Sequence, residues 1–495
     1  MALETTIRWI SDAGDKLMTT TFEPFEGSKI RGAIRWWVAA CGAGSLAVAI
    51  SADVPMSTLW LVGLIVVSFG LVMGCTLPRR RFVAPSFLII MLGTSYPLTL
   101  ARLMLKGDDN PLIGWGSLGA FDFTNEAAGM VAWPLLSCFV GLLVGTIGAE
   151  RIWRSIPDAP AKATSFECPG YLSIAGWVFL SVGLIATCSI LGIGRTGILD
   201  NTTLPLKLNG VLVYARTYLL PALAAGLVQA AVASPKQSRL VACLVLLIVV
   251  AGIGSVAATS RGLVMYYVIP VFLFAATYQA YLGRPLRRFV APVVACLFSM
   301  AVAGYITTTM RTTLFTGDGW MAASELAGDG VSSSLGKSLD TFLDLVSYRL
   351  SGLGDSLAIL TSLGSHDDPR TTLAIFSGDV QVTTEVLRSA LGFELRSPDG
   401  MAFGIGIPLL ASAGLGGSFL VPFLTSVLLV IGGCLVEAVF SSCSERATGA
   451  VLGCLLIQRT WEIPTWFQLW RSIVMIAFIY LGIRVLPVLK RSRRA

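Results

Sequence analysis

Long apolar stretches without charge alternate with short polar segments along most of this chain. About twelve of them approach the roughly 20 residues that a helix needs to cross the hydrocarbon core of a bilayer. They lie at 34–52, 57–77, 83–104, 127–149, 170–193, 211–233, 240–259, 262–282, 289–309, 417–440, 447–458 and 472–489. The stretch at 447–458 is too short to cross unless it tilts, recruits its neighbours or thins the bilayer locally. The pattern predicts an all-α polytopic membrane protein with about 12 transmembrane helices.

Composition supports this prediction and excludes several classes of protein. Charged residues make up 13% of the 495, against about 25% in soluble domains. The mean hydropathy is +0.76, and 55% of the residues are apolar. A soluble enzyme, a disordered scaffold and a nucleic-acid-binding protein are therefore excluded. The net charge of +7 comes from basic clusters between apolar stretches, where they act as membrane orientation signals.

The basic residues also predict the orientation of the chain in the membrane. With both termini inside, the inner segments hold 22 Lys and Arg residues and the short outer segments hold 8. Because basic residues favour the cytoplasmic side, the tails at 1–33 and 490–495 are expected to be cytosolic. The first tail contains no apolar stretch of signal-peptide length, so the first span is expected to direct insertion itself.

This orientation divides the rest of the chain into three regions. Residues 34–309 form a bundle of about nine transmembrane helices. Residues 310–400 form one large extracytoplasmic loop, in which leucines and other apolar residues recur every three or four positions over 335–360 and predict an amphipathic helix. Residues 401–489 hold a short re-entrant or interfacial segment at 401–413, followed by the last three transmembrane helices.

The most informative charged residues are arginines at the outer side. Arg216 lies about five residues inside its span, roughly 7 Å deep at 1.5 Å per residue. Arg261 separates two spans, Arg311 follows the outer end of the next span, and Arg349 lies on the margin of the amphipathic stripe. Guanidinium groups bind phosphate through two parallel hydrogen bonds, so these four residues are candidates for an anion site. The alternative is that each arginine anchors its span end among lipid headgroups.

Three residues of the outer loop are candidates for accepting a proton. Asp355 follows a glycine break near Arg349 and is the preferred candidate, and Glu385 is the second. His366 is the chain's single histidine, and it stands in a polar His-Asp-Asp-Pro loop that fits a solvated turn as well. Neither a Cys/His cluster nor a membrane-edge pair of acidic residues is present, so the sequence predicts neither a bound metal nor a cofactor.

Three short motifs resemble a known family. They are Thr-Ser-Arg-Gly at 259–262, Ser-Tyr-Arg-Leu-Ser at 347–351 followed by Asp355, and Gly-Leu-Gly-Gly at 414–417. In order and placement they resemble the bacterial oligosaccharide repeat-unit polymerases, the Wzy or O-antigen polymerase group, which is related to the O-antigen ligases. The ligase branch is expected to use an outer-loop histidine, and only His366 is available, so the polymerase branch is favoured.

The resemblance implies a metal-independent membrane glycosyltransferase of the GT-C type. Such an enzyme transfers a growing glycan from undecaprenyl diphosphate to a new lipid-linked repeat unit at the outer face of the bacterial inner membrane. Arg216, Arg261, Arg311 and Arg349 would bind the diphosphate, and Asp355, Glu385 or His366 would take the proton. The expected partners are lipid-linked oligosaccharides, the bilayer, a chain-length regulator and a flippase.

Three other functions stay open. A count of about twelve spans is typical of a transporter or a lipid-linked oligosaccharide flippase, although the long outer loop has no counterpart in the first half of the chain. An O-antigen ligase is the second alternative. The third is a scaffold of a polysaccharide assembly complex without catalysis of its own.

Overall fold

A computed structural model describes about half of the chain. It covers residues 82–87, 125–153, 171–194, 204–205, 208–234, 237–258, 263–281, 289–316, 420–441, 445–462 and 466–492, with the single positions 36, 39, 40, 43, 44, 370, 373, 374 and 377. Nearly all of these residues are helical. The predicted spans at 34–52 and 57–77, most of the one at 83–104, the amphipathic helix at 335–360 and the segment at 401–413 lie outside the described residues.

The described helices follow the apolar stretches closely. They are α1 (Asn125–Ile152), α2 (Tyr171–Ile190), α3 (Leu208–Tyr214), α4 (Leu220–Ala233), α5 (Gln237–Ala257), α6 (Leu263–Tyr281), α7 (Val290–Thr316), α8 (Leu420–Ser441), α9 (Arg446–Glu462) and α10 (Trp466–Ser492). A π turn at Ala215–Leu219 joins α3 to α4. Within the described part, four helices are long and apolar enough to cross a membrane, namely Tyr171–Ile190, Leu208–Val232, Ser238–Ala257 and Leu420–Ser441.

Two helix bounds differ by six or more residues from those expected from hydropathy. The span expected at 289–309 is α7, which continues to Thr316, so Arg311 lies within the helix and not after it. The last span, expected at 472–489, begins at Trp466, so the aromatic residues before position 472 belong to α10. Hydropathy reports where lipid ends, whereas the hydrogen bonds of a helix continue into the polar region beyond.

Glycine residues let α8 pack closely between α1 and α9. A Cβ atom added at Gly141 of α1 would collide with the carbonyl oxygen of Phe423, and one added at Gly453 of α9 would lie 2.5 Å from the carbonyl oxygen of Gly433. Gly141 and Gly145, like Gly449 and Gly453, are spaced by four residues and lie on one helix face. Small residues at this spacing bring helix backbones together, which is how helices associate where lipid removes the hydrophobic driving force.

The centre of the described bundle is formed by α4, α5, α6 and α9. Tyr267 of α6, Leu247 of α5 and Ile457 of α9 are fully buried there. At the periphery, α2 and α10 expose large apolar side chains, including Leu172, Phe179 and Phe478. Apolar helices with apolar outer faces indicate a membrane protein, because lipid can cover such surfaces and water cannot.

Polar contacts group the helix ends into two sets. One set joins the end of α2, the π turn, the start of α6 and the start of α10, and we call it the arginine end after Arg216. The other joins residues 82–87, the end of α8 and the end of α1, and we call it the glutamate end after Glu437. The start of α9 meets the end of α4 through Ala447 and Gln229. The grouping agrees with the alternating helix directions expected from the sequence.

Candidate functional site

The arginine end is built around the π turn in the helix that crosses at 208–233. The backbone N–H of Leu220 donates to the carbonyl oxygen of Ala215, which is the wider spacing of a π turn. Arg216, Thr217 and Tyr218 within it are all buried. Single π turns inside α-helices occur frequently at functional sites, because the extra residue re-aims the side chains around it.

Arg216 is the buried charge at the arginine end. Its side chain is 4% exposed, and its Nη2 donates to the carbonyl oxygen of Gly194 at 2.7 Å. Its Nε and Nη1 are buried and have no hydrogen-bond partner among the described residues. A buried guanidinium with unused donors is costly unless an anion or water satisfies it. The side chain is therefore equipped to bind an anion.

Gly194 provides the carbonyl oxygen that accepts the hydrogen bond from Nη2 of Arg216. Its φ of +67° lies in the left-handed region that favours glycine. A Cβ atom at this position would lie 2.5 Å from Cγ2 of Val213 and 3.0 Å from Nη2 of Arg216. Only glycine therefore allows the end of α2 to approach the arginine this closely.

Aromatic side chains support the π turn from three helices. The hydroxyl of Tyr267 on α6 donates to the backbone carbonyl oxygen of Arg216. The indole Nε1 of Trp177 on α2 donates to the carbonyl oxygen of Leu220 at 3.1 Å. The hydroxyls of Tyr218 and Ser472 on α10 lie 2.5 Å apart and share a hydrogen bond. The π turn is thus fixed from α2, α6 and α10.

Of the seven candidate residues, the structure places Arg216 in full and Arg311 in part. Arg311 lies in α7, and its side chain is not described. Arg261, Arg349, Asp355, Glu385 and His366 lie outside the described residues. The described residues end at 258 and resume at 263, and the backbone N–H of Val264 donates to Oγ of Ser255 at 3.2 Å. This contact joins the end of α5 to the start of α6, and Tyr267 follows on α6.

The glutamate end contains a polar site that the sequence reasoning missed. Glu437 of α8 is fully buried, and its Oε2 accepts hydrogen bonds from the backbone N–H groups of Val83 at 2.8 Å and Ala84 at 3.4 Å. These donors belong to the first turn of the helical residues at 84–87, which have no partner within their own helix. Arg446 lies close enough to stabilise the carboxylate. The lone acidic residue in an apolar run was the available signal.

A structural role explains most of the glutamate end. Oε2 of Glu437 caps a helix on another part of the chain, which is a common use of carboxylates. Burial raises the pKa of the nearby Glu445 carboxyl, which precedes α9, above its usual value. Oε1 of Glu437 has no hydrogen-bond partner among the described residues, and Arg216 likewise retains two unpartnered nitrogens there.

The described residues contain no group of three His, Cys, Asp or Glu side chains that could hold a metal ion. The six described cysteines, Cys138, Cys188, Cys243, Cys296, Cys434 and Cys454, are buried free thiols. What the arginine end can do chemically is bind an anion by charge-assisted hydrogen bonds. The carboxylates expected to accept a proton belong to the loop outside the described residues.

The fold defines an all-helical protein with apolar helices of membrane-spanning length in its described part. Compared with protein-family models, with curated proteins and with solved structures, the chain matches none of them.

Proposed function

We propose that this protein is a glycosyltransferase that polymerises undecaprenyl-diphosphate-linked oligosaccharides at the outer face of a bacterial inner membrane. The observation that carries the proposal is Arg216, a buried guanidinium with Nε and Nη1 unpartnered among the described residues. It lies at the end of the bundle that the positive-inside rule assigns to the outer side. A diphosphate at the membrane surface is an anion of suitable charge and depth.

In this proposal the arginines stabilise the leaving group. The bond between sugar C1 and the phosphate oxygen breaks, and its electron pair stays on the diphosphate. Arg216, with Arg261, Arg311 and Arg349, would bind that developing charge in a poorly hydrated site. The acceptor hydroxyl oxygen bonds to C1 and gives its proton to Asp355, with Glu385 and His366 as the alternative acceptors.

Two features of the arginine end support a site for a lipid-linked anion. Nη2 of Arg216 donates to the carbonyl oxygen of Gly194, and its backbone carbonyl accepts from the hydroxyl of Tyr267. The residue is therefore fixed in place before a ligand binds. A fixed donor stabilises developing charge without having to reorganise during the reaction. Tyr267 of α6 donates to the backbone carbonyl oxygen of Arg216, the residue whose Nε and Nη1 are unpartnered among the described residues.

The test is chain growth by purified full-length protein in vesicles, supplied with lipid-linked oligosaccharide extracted from the native membranes. Arg216→Ala is expected to lower the rate by about 100-fold to 1,000-fold, as the loss of other oxyanion-stabilising donors does. Arg216→Lys is expected to recover only part of the rate, because an ammonium keeps the charge and loses the planar fork.

Arg471 provides the matched control. It lies near the start of α10 at the same end, and its side chain is exposed, so Arg471→Ala is expected to leave the rate near wild type. Full activity of the Arg216→Ala variant would contradict the proposal. Movement of the oligosaccharide across the vesicle without chain growth would indicate a flippase, and neither activity would indicate a scaffold.

A further inference from the structure

We infer that Tyr267 is a positioning residue for the anion site, acting through the backbone of Arg216 and not on the ligand itself. The inference rests on the proposed function and adds to it the residue that sets the direction of the guanidinium. Tyr267 is 2% exposed, and its hydroxyl donates to the carbonyl oxygen of Arg216 from the neighbouring helix α6.

The π turn sets the orientation of the residues on either side of it. An extra residue in one turn rotates the preceding helix by about 100° relative to the helix that follows, since an α-helix has 3.6 residues per turn. Such a turn also disturbs the regular hydrogen bonds of its carbonyl groups. Tyr267 supplies the carbonyl oxygen of Arg216 with a hydroxyl donor, and Trp177 supplies that of Leu220 with an indole donor.

Arg216 is held at both of its ends. Its backbone carbonyl is fixed by Tyr267 on α6, and Nη2 of its side chain is fixed by the carbonyl oxygen of Gly194 at the end of α2. With both ends fixed, the side chain has little freedom, and the donors at Nε and Nη1 point in a set direction. Losing the hydroxyl of Tyr267 would free the backbone end while leaving the charge in place.

The test measures binding of farnesyl diphosphate to purified full-length protein in detergent, with farnesol as the uncharged comparison. Tyr267→Phe keeps the buried ring and removes the hydroxyl, and it is expected to weaken the affinity for farnesyl diphosphate about fivefold to tenfold, the usual effect of one hydrogen bond. Farnesol binding is expected to be unchanged. Tyr278→Phe, the same change three turns further along α6, is the matched control and should bind like wild type.

A double-mutant cycle separates positioning from general stability. In a protein that already carries Arg216→Ala, Tyr267→Phe is expected to have no further effect on binding, because the donors it positions are gone. Replacing Tyr267 by 4-aminophenylalanine keeps a donor on the ring and should restore affinity. If the Phe variant does not fold, this replacement is run through the same cycle, and any change must disappear when Arg216 is absent.

The possible failures differ in what they overturn. If Arg216→Ala leaves the affinity for farnesyl diphosphate unchanged, the diphosphate site of the proposed function is wrong, and the role of Tyr267 falls with it. If Arg216→Ala abolishes binding and Tyr267→Phe has no effect, or has equal effects with and without Arg216, only the positioning role is wrong.

Discussion

Within the described part of the chain, two charged side chains are buried at opposite groups of helix ends, and each leaves part of its hydrogen-bonding capacity unused. Oε2 of Glu437 accepts hydrogen bonds from two backbone N–H groups, and Arg446 lies nearby. Arg216 uses Nη2 on Gly194 and keeps Nε and Nη1 unpartnered within the described part of the chain. Oε1 of Glu437 also lacks a hydrogen-bond partner there, but its Oε2 has a structural role as a helix cap, whereas no such role accounts for the unused donors of Arg216.

The structural role of Glu437 predicts a specific stability pattern. Glu437→Leu is expected to destabilise the protein by about 2 to 5 kcal/mol, because it leaves the N–H groups of Val83 and Ala84 buried without partners. Glu437→Gln keeps an acceptor oxygen at the same position and should lower the free energy of unfolding by less. The measurement is reversible unfolding in mixed micelles of a mild detergent and dodecyl sulfate.

Glu445→Gln is the matched control for this experiment. Burial raises the pKa of Glu445, which means that the folded protein disfavours its charged form, so removing the charge should be neutral or slightly stabilising at neutral pH. An unfolding free energy of Glu437→Leu equal to that of wild type would show that the cap contributes nothing.

The sequence singles out Arg216, carries an unused signal for Glu437, and cannot identify the contacts of either residue. An arginine about 7 Å inside an apolar span and a glutamate in an apolar run are visible without a structure. The partners of Arg216 are 22 and 51 positions away, and the N–H groups that Glu437 accepts are more than 350 positions away. Contacts at such separations depend on how helices pack, which a periodic pattern does not encode.

At the scale of elements, hydropathy locates helices and does not describe their interior. It correctly predicts α2, α5 and α8, because length and apolarity are what a bilayer selects. It cannot distinguish a π turn from a regular helix, since one inserted residue leaves the mean hydropathy unchanged. The helix packing is likewise set by single glycines, which contribute almost nothing to a hydropathy average.

Two glycines of α1 with different surroundings give the prediction at this scale. Gly141 faces the backbone of Phe423 on α8, whereas nothing lies within 4 Å of a Cβ atom added at Gly148. Gly141→Ala is expected to destabilise the protein by about 1 to 3 kcal/mol, because the helices must separate. Gly148→Ala should stabilise it by about 0.5 to 1 kcal/mol through the better helix propensity of alanine. The same unfolding assay measures both, and a stabilising Gly141→Ala would contradict the close crossing of α1 and α8.

At the scale of the whole molecule, the arginine end and the glutamate end belong to opposite sides of the bundle. Arg216 lies near the start of a long helix that ends at the glutamate side, where Gln229 accepts a hydrogen bond from Ala447. The excess of basic residues in the segments expected on the glutamate side, 22 against 8, predicts that this side is cytoplasmic. The proposed reaction requires this assignment, because its lipid-linked substrate is used at the outer face.

Cysteine labelling of right-side-out membrane vesicles tests this arrangement with a membrane-impermeant maleimide. The six described native cysteines are buried, so they should contribute little background. Leu208 at the arginine end and Ile152 at the glutamate end are both exposed, and Leu208→Cys is expected to react in intact vesicles while Ile152→Cys reacts only after permeabilisation. Ser333→Cys in the expected outer loop should behave like Leu208→Cys, and Ala495→Cys like Ile152→Cys.

Reaction of Leu208→Cys and Ile152→Cys from the same side would contradict the helix directions. Reaction of Ile152→Cys alone from outside would show that the topology is inverted and that Arg216 lies at the cytoplasmic face. Polymerisation at the outer surface would then have no basis.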